Sequence, residues 1–202
     1  ESGVAIHQPY PKHEARATAI HEAGHAVCSH LYGENRLSTR LSIRRRGASG
    51  GHHQAMEIED RFSDWRSEQV AELIWGLGAM AAEYVFYEQN TTGVGGDVHS
   101  ATFDAARMVG RHAMGPAAVD LSDRIEDPEL RAEEEKRVKE RTERLGYQIM
   151  HRSGGGSAFD DDGMSRALGD PDKRRLAAGL LGQAFVVAYN TIRQNKAGTD
   201  HV

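Results

Sequence analysis

The stretch Thr18-Ala19-Ile20-His21-Glu22-Ala23-Gly24-His25-Ala26-Val27 decides how the rest of the 202-residue chain is read. Its centre, His21 to His25, has the pattern H-E-x-x-H. In a helix, residues four apart share one face, so both imidazoles can reach a single tetrahedral metal ion. Glu22 then projects beside that ion, where a carboxylate can take the proton from a metal-activated water attacking a carbonyl carbon. The motif requires three things of its context: a helix, a third ligand and an open coordination position.

The helix is written around it. Helix formers run from about His13 to Tyr32, with Ile20, Gly24, Val27 and Leu31 on one stripe and His21, His25 and Cys28 on the neighbouring one. Gly33 is placed to stop it. Glycine in mid-helix costs about 1 kcal/mol relative to alanine, so Gly24 implies a second backbone passing close beside the histidines. Cys28 lies on the histidine side and could ligate metal as a thiolate, although a lone buried cysteine ordinarily acts as a small hydrophobe. Residues 1–12, with two prolines and no periodicity, read as an entering arm.

A hairpin is expected next. Leu41 and Ile43 alternate with polar residues, Gly47-Ala48-Ser49-Gly50-Gly51 makes the connection, and Gln54, Met56 and Ile58 form the return strand. An exposed edge there could pair with an extended peptide, or the hairpin could simply cover the helix layer. Adjacent strand residues point to opposite faces, so His52 and His53 cannot easily serve one ion.

Two carboxylates compete for the third ligand position. A second long helix is expected from about Ser63 to Gln89, capped by Ser63 or Asp64, with Val70, Leu73, Ile74, Leu77, Met80, Ala81, Tyr84 and Val85 at helical spacing. Glu83 is the acid on this apolar segment, either a ligand or a buried carboxylate hydrogen-bonded to a neighbouring helix or histidine. Asp97 follows Thr91-Thr92-Gly93-Val94-Gly95-Gly96 at the start of a helix whose Ala101, Ala105, Met108 and Val109 face inward. It could be a ligand brought close by the glycines, or an acid favoured at a helix N-terminus.

These segments together resemble a known family. His21-Glu22-Ala23-Gly24-His25-Ala26, then Leu77-Gly78 with Ala81-Ala82-Glu83, then Thr91 or Thr92 with Asp97, and Ala101-Thr102 with Arg107-Met108-Val109 are similar to the peptidase domain of the FtsH family of ATP-dependent zinc metalloproteases. The resemblance spans roughly residues 14–116. It implies Zn2+ as cofactor, with His21, His25 and Asp97 as metal ligands, Glu22 as the catalytic general base and Glu83 in support. It also implies polypeptide substrates, an ATPase module upstream or in trans, and a homo-oligomer of hexameric form. The implied fold is mainly α, a helical peptidase domain with a small β-hairpin beside the metal site and a C-terminal helical extension. Two departures stand out: Gly78-Ala79-Met80 replaces the family's common Gly-Gly-Arg, and no G-x-x-x-x-G-K-[ST] phosphate loop occurs anywhere in the chain. Gly50-Gly51-His52-His53-Gln54 at the edge strand also implies a more polar cleft.

Beyond residue 116 the resemblance thins. Asp127-Pro128-Glu129 opens a charged helix to about Met150, with Glu133-Glu134-Glu135 opposing Lys136, Arg137 and Lys139, read as solvated or partner-facing. Ser153 to Ser157 and Asp160-Asp161-Asp162-Gly163 read as a flexible acidic loop near 153–170. A last helix from Asp170-Pro171 carries Leu176, Leu180, Phe185 and Tyr189, and a frayed tail follows Lys196. Residues 13–202 are expected to form one zinc peptidase domain, with a metal-site core over 13–116 and a helical part over 117–202.

Composition limits the alternatives. A net charge of −5 argues against nucleic-acid binding through a global positive field, and Arg44-Arg45-Arg46 reads as a solvated strand end. The single cysteine, Cys28, excludes an intramolecular disulfide and fits a reducing compartment. With no signal-peptide pattern and no apolar run of bilayer length, the expectation is a soluble, cytoplasmic-facing chain. Because the sequence starts with Glu1, it can be a piece of a longer protein whose other segments anchor it to a membrane. The expected function is zinc-dependent endopeptidase activity on unfolded or flexible proteins. An inactive or motor-dependent metal-binding interaction module is the alternative.

Overall fold

The computed structural model describes residues 11–33, 36–43, 52–58, 62–152 and 168–201. Most of the entering arm, the Arg44–Arg46 run, the glycine connection at 47–51 and the acidic loop at 153–167 lie outside the described residues. The architecture is mainly α, as expected.

Helix α1 spans Lys12–Tyr32, one residue longer at its start than the sequence suggests. The Pro11 carbonyl accepts from Ala15 N at 3.0 Å, and Gly33 N donates back to Ser29 O at 2.9 Å to close the far end. The backbone expected beside Gly24 is that of helix α3 (Gly78–Tyr87). A Cβ built on Gly24 would lie 2.4 Å from the Gly78 carbonyl oxygen, and one on Gly78 would lie 2.5 Å from the Gly24 carbonyl oxygen. Two glycines facing each other let α1 and α3 approach until their backbones touch. Of the stripe on α1, Ile20 and Gly24 are buried, whereas Leu31 is 51% exposed near the helix end.

Strands β1 (Arg36–Ser42) and β2 (His52–Glu57) pair antiparallel, from Arg36 opposite Glu57 to Ser42 opposite His52, with an irregularity between Ser38 and Arg40. The hairpin is present at the expected place and packs against α1. Ile43 and Ile58 lie just beyond the paired strands, and both are exposed, as is Met56.

The single helix expected over 63–89 is two, α2 (Arg66–Gly76) and α3 (Gly78–Tyr87), parted at Leu77. Glycines on both sides of Leu77 weaken the helix there, while Leu77 itself is fully buried. The start of α2 also differs. Trp65, not Ser63 or Asp64, stands at its N-cap, and the Glu68 carboxylate accepts from Trp65 N at 2.7 Å. Asp64 instead accepts from Gln69 Nε2 at 2.9 Å. Leu73, Ile74, Leu77, Met80 and Ala81 are core residues as expected, but Tyr84 is exposed on the outer face of α3.

A 3-10 turn, Thr92–Val94, runs straight into α4 (Gly95–His112), whose Ala101, Ala105, Met108 and Val109 are buried. Helix α5 spans Pro128–Arg152, its first turn capped by Asp127 Oδ1, which accepts from Glu129 N and Leu130 N at 2.9 and 3.1 Å. Arg137 pairs with Glu133 and Glu134 at 3.2 and 2.6 Å, as the charge pattern suggests. Its C-terminal half, however, is not a solvated face. A Cβ on Gly146 would fall 1.7 Å from Ala178 O, and one on Gly182 would fall 2.0 Å from Thr142 O, so α5 lies backbone against backbone on the helix Pro171–Gln194.

Helix α6 (Pro171–Gln194) is the axis of the core and touches α1 to α5. Asp170 caps it through Asp172 N and Lys173 N at 2.9 and 3.1 Å. Its buried stripe is Ala177, Leu180, Leu181, Ala184, Phe185, Ala188 and Ile192; of the expected residues Leu180 and Phe185 are buried and Leu176 is exposed. Residues after Lys196 are not frayed. They form α7 (Lys196–His201), with Thr199 buried and Asp200 paired to Arg16 of α1 at 2.7 Å. Among the described residues no helix is long and apolar enough to cross a membrane.

Candidate metal centre

Three elements bring the site together. One turn of α1 separates His21 from His25, whose rings meet edge to face with centroids 5.2 Å apart. Asp97 is the third residue of α4, delivered by the 3-10 turn Thr92–Val94. His21 Nε2 stands 3.3 Å from Asp97 Oδ2, and His25 Nε2 stands 3.5 Å from Asp97 Oδ1. Among the described residues these three form the group of ligand-type side chains whose donor atoms all lie within 4.8 Å of one another.

The opposite nitrogen of each ring is held. His25 Nδ1 lies 2.9 Å from the Trp75 carbonyl oxygen, which can only accept, so Nδ1 carries the proton. Trp75 is in the last turn of α2, where its carbonyl also faces the Leu77 N–H, and the break at Leu77 is what ends the helix there. His21 Nδ1 lies 2.9 Å from Glu83 Oε1. With Nδ1 the donor on both rings, it is the Nε2 atom of each that faces Asp97, free to ligate wherever it carries no second proton.

Glu83 is 1% exposed and fully engaged. Besides His21 it accepts from Thr91 N at 2.5 Å and Thr91 Oγ1 at 2.9 Å, with Asn90 Nδ2 at 3.5 Å. Its position on the Nδ1 side separates it from the Nε2 atoms that face Asp97. Of the two competing carboxylates, Asp97 meets both histidines on their Nε2 side, and Glu83 orients one of them.

Asp97 Oδ2 is buried and has no hydrogen-bond partner, although an imidazole nitrogen stands close by. Two nitrogen lone pairs and a carboxylate pointed at one another are unfavourable unless a proton or cation lies among them. Protonation is one answer: burial opposes charge on His21, but Asp97 and Glu83 more than offset it and push the imidazole up to about 10. Burial likewise works against the Asp97 carboxylate, yet the facing histidines pull it down to about 2. Glu83 is shifted below its ordinary value because His21 and Thr91 outweigh the effect of burial. A divalent cation would satisfy the same atoms with both rings neutral, and a donor set of two imidazoles and one carboxylate suits zinc.

Glu22 is buried beside the two histidines in α1. Cys28 is fully buried against Gly78, outside the ligand group, and burial pushes its thiol up to about 12. It is a core residue. The glycines before Asp97 do less than expected, since a Cβ on Gly95 or Gly96 would meet nothing within 4 Å. Only Gly93 comes near the site, its hypothetical Cβ lying 3.9 Å from His21 Cε1. Two orienting roles escape sequence reasoning: that of the Trp75 carbonyl, because a main-chain group has no side-chain signature, and that of Thr91, which the family pattern includes only as one of two adjacent threonines and without a role.

The model of peptidase family M41 matches residues 9–149. The chain is 40% identical over 101 residues to the ATP-dependent zinc metalloprotease FtsH of Rubrobacter xylanophilus, covering 50% of this chain and 16% of that protein. With FtsH 4 of Sphaerobacter thermophilus it shares 32% identity over 154 residues, 70% of this chain and 23% of the relative. The FtsH of Rhodococcus erythropolis is 33% identical over 103 residues, 51% of this chain and 12% of that protein. The chain thus spans under a quarter of the length of each of these three relatives. A match over residues 9–149 and the joint presence of the H-E-x-x-H helix and the Asp97 turn lead to one conclusion: the chain belongs to peptidase family M41.

Proposed function

We propose that this chain is a zinc-dependent endopeptidase domain that hydrolyses peptide bonds of unfolded or flexible polypeptides, with His21, His25 and Asp97 as metal ligands and Glu22 as general base. The observation that supports it most is the convergence of both Nε2 atoms on the Asp97 carboxylate, whose buried Oδ2 has no hydrogen-bond partner, with each ring held through its Nδ1. The name the relatives carry, zinc metalloprotease, points the same way.

Zinc held there would polarise a scissile carbonyl and bring the pKa of a coordinated water toward 7. The protein residues divide the remaining work. Glu22 accepts a proton as the nucleophile forms and returns it to the departing amine. Glu83 keeps His21 in the tautomer that leaves Nε2 free, and the Trp75 carbonyl does the same for His25. The β1–β2 hairpin, packed on the helix that carries the histidines, can add an extended peptide to its edge through main-chain hydrogen bonds, which tolerates many side chains. One domain with a metal-site core over 13–116 and a helical part over 117–202 fits this reading. Coupling to an ATPase and assembly into a homo-oligomer rest on the relatives' name and the family resemblance.

The purified chain should cleave an unstructured casein-like substrate and stop on chelation. Glu22→Gln should keep its zinc and lose turnover by several orders of magnitude. Turnover equal to wild type in that variant would refute the mechanism. Wild-type zinc content in both His21→Ala and Asp97→Ala would refute the ligand set.

A further inference from the structure

Thr91 belongs neither to the ligand set nor to the nucleophile machinery, yet it touches both halves of the centre. Its backbone N–H and its hydroxyl each donate to Glu83, at 2.5 and 2.9 Å, one to each carboxylate oxygen. The same hydroxyl oxygen accepts from Gly93 N at 3.2 Å and so caps the 3-10 turn Thr92–Val94, which feeds directly into the α4 turn bearing Asp97. A hydroxyl is suited to this double task, because it donates with its hydrogen and accepts with its lone pairs at once. Asn90, the preceding residue, ties the segment down further, donating to Met80 O at 2.9 Å and accepting from Arg152 at the end of α5 at 3.2 Å.

We propose that Thr91 is a positioning residue that fixes the His21 ring, through Glu83, and the Asp97 turn in one mutual geometry. This rests on the metal-site reading given above. Without the hydroxyl, Glu83 keeps the backbone N–H of Thr91 but loses the clamp on the oxygen that holds His21, and the turn loses its cap. His21 and Asp97 would then be free to move relative to each other. Partners one step behind a metal ligand typically carry 10- to 100-fold in metal affinity.

The test compares zinc affinity, read by competition with a chromophoric chelator, in wild type, Thr91→Val and Thr91→Ser of the 202-residue chain. Valine keeps the shape and removes the hydroxyl, whereas serine keeps the hydroxyl and removes the methyl. The expected result is about a 10-fold or greater loss of affinity in Thr91→Val, with Thr91→Ser within a few fold of wild type. Should Thr91→Val fail to fold, Thr91→Ser against Thr91→Ala isolates the same hydroxyl and must show the same gap. Equal affinity within the decisive pair, or equal loss in serine and valine, overturns the inference while leaving the metal site intact. Wild type that binds no zinc, or binds it as well after His21→Ala, removes the metal-site reading and this inference with it.

Discussion

Glu83 and Asp97 sit on opposite sides of the His21 ring, Glu83 Oε1 2.9 Å from Nδ1 and Asp97 Oδ2 3.3 Å from Nε2. One carboxylate therefore sets the tautomer and the other faces the lone pair that the tautomer exposes. The two acids are not interchangeable, and their removal has different consequences.

On the proposed ligand set, Asp97→Ala should abolish stoichiometric zinc binding. Glu83→Gln keeps the volume but turns an amide toward the N–H groups of Thr91 and His21, leaving at least one buried donor without an acceptor. Zinc affinity should fall about 10- to 100-fold rather than vanish, and the metal-free fold should lose on the order of 1–3 kcal/mol. Zinc titration and denaturant melts of both variants check this. Equal zinc loss in the two would mean that Glu83 ligates directly.

The contact between α1 and α3 gives a steric prediction. Gly24→Ala places a methyl 2.4 Å from the Gly78 carbonyl oxygen and 2.7 Å from the Ala82 Cβ, so the helices must part. A cost of about 1–3 kcal/mol is expected from such overpacking, along with weaker zinc binding because His21 and His25 flank the displaced turn. Gly95→Ala, at φ −59° with nothing within 4 Å, should instead be neutral or stabilise by roughly 0.5–1 kcal/mol. Thermal melts of the pair decide it, and similar melting for both would rule out the close contact.

The pH dependence of the metal-free protein follows from His21 and Asp97. Folding raises the His21 pKa from 6.5 to about 10, so the stability this contributes is fully present below about 6.5 and is lost as pH rises toward 10. Folding lowers the Asp97 pKa from 3.8 to about 2, so its contribution is present above about 4 and is lost as pH falls toward 2. The melting temperature of chelator-stripped protein should therefore decline from pH 6.5 to 9. Zinc competes with the proton on His21, so its added stabilisation should grow over the same range. A melting temperature that rises with pH in the stripped protein would contradict the pairing.

Gly146→Ala tests whether the charged helix is part of the core. Its methyl would fall 1.7 Å from Ala178 O, and the expected cost is again about 1–3 kcal/mol or more. Alanine at an exposed helical site would instead stabilise. Chemical denaturation gives the sign directly.

The contrast between α1 and α5 explains what the sequence made legible. The H-E-x-x-H helix could be read because both histidines and their facing side are fixed by spacing within one element. Asp97 and Glu83 could not be separated by spacing, because which ring nitrogen each carboxylate meets depends on how three helices dock; the family resemblance supplied that order. The break at Leu77 was hidden because the apolar period runs on through it, from Leu73 to Met80 and Ala81. The buried half of α5 was hidden because its closest backbone contacts fall at Gly146 and Thr142, and Ile149 is its one large apolar side chain in the fully buried core. In α7, the anchors are a threonine and an aspartate, residues that ordinarily mark a solvated end.

His25 takes its orientation from the Trp75 carbonyl, and His21 takes its own from a glutamate side chain. Codon changes can retune only the second of these. Alanine scanning would therefore credit Glu83 and pass over its counterpart, and variation among homologues would carry the same blind spot. Only an amide-to-ester replacement after Trp75, which weakens that oxygen as an acceptor, would expose the silent partner.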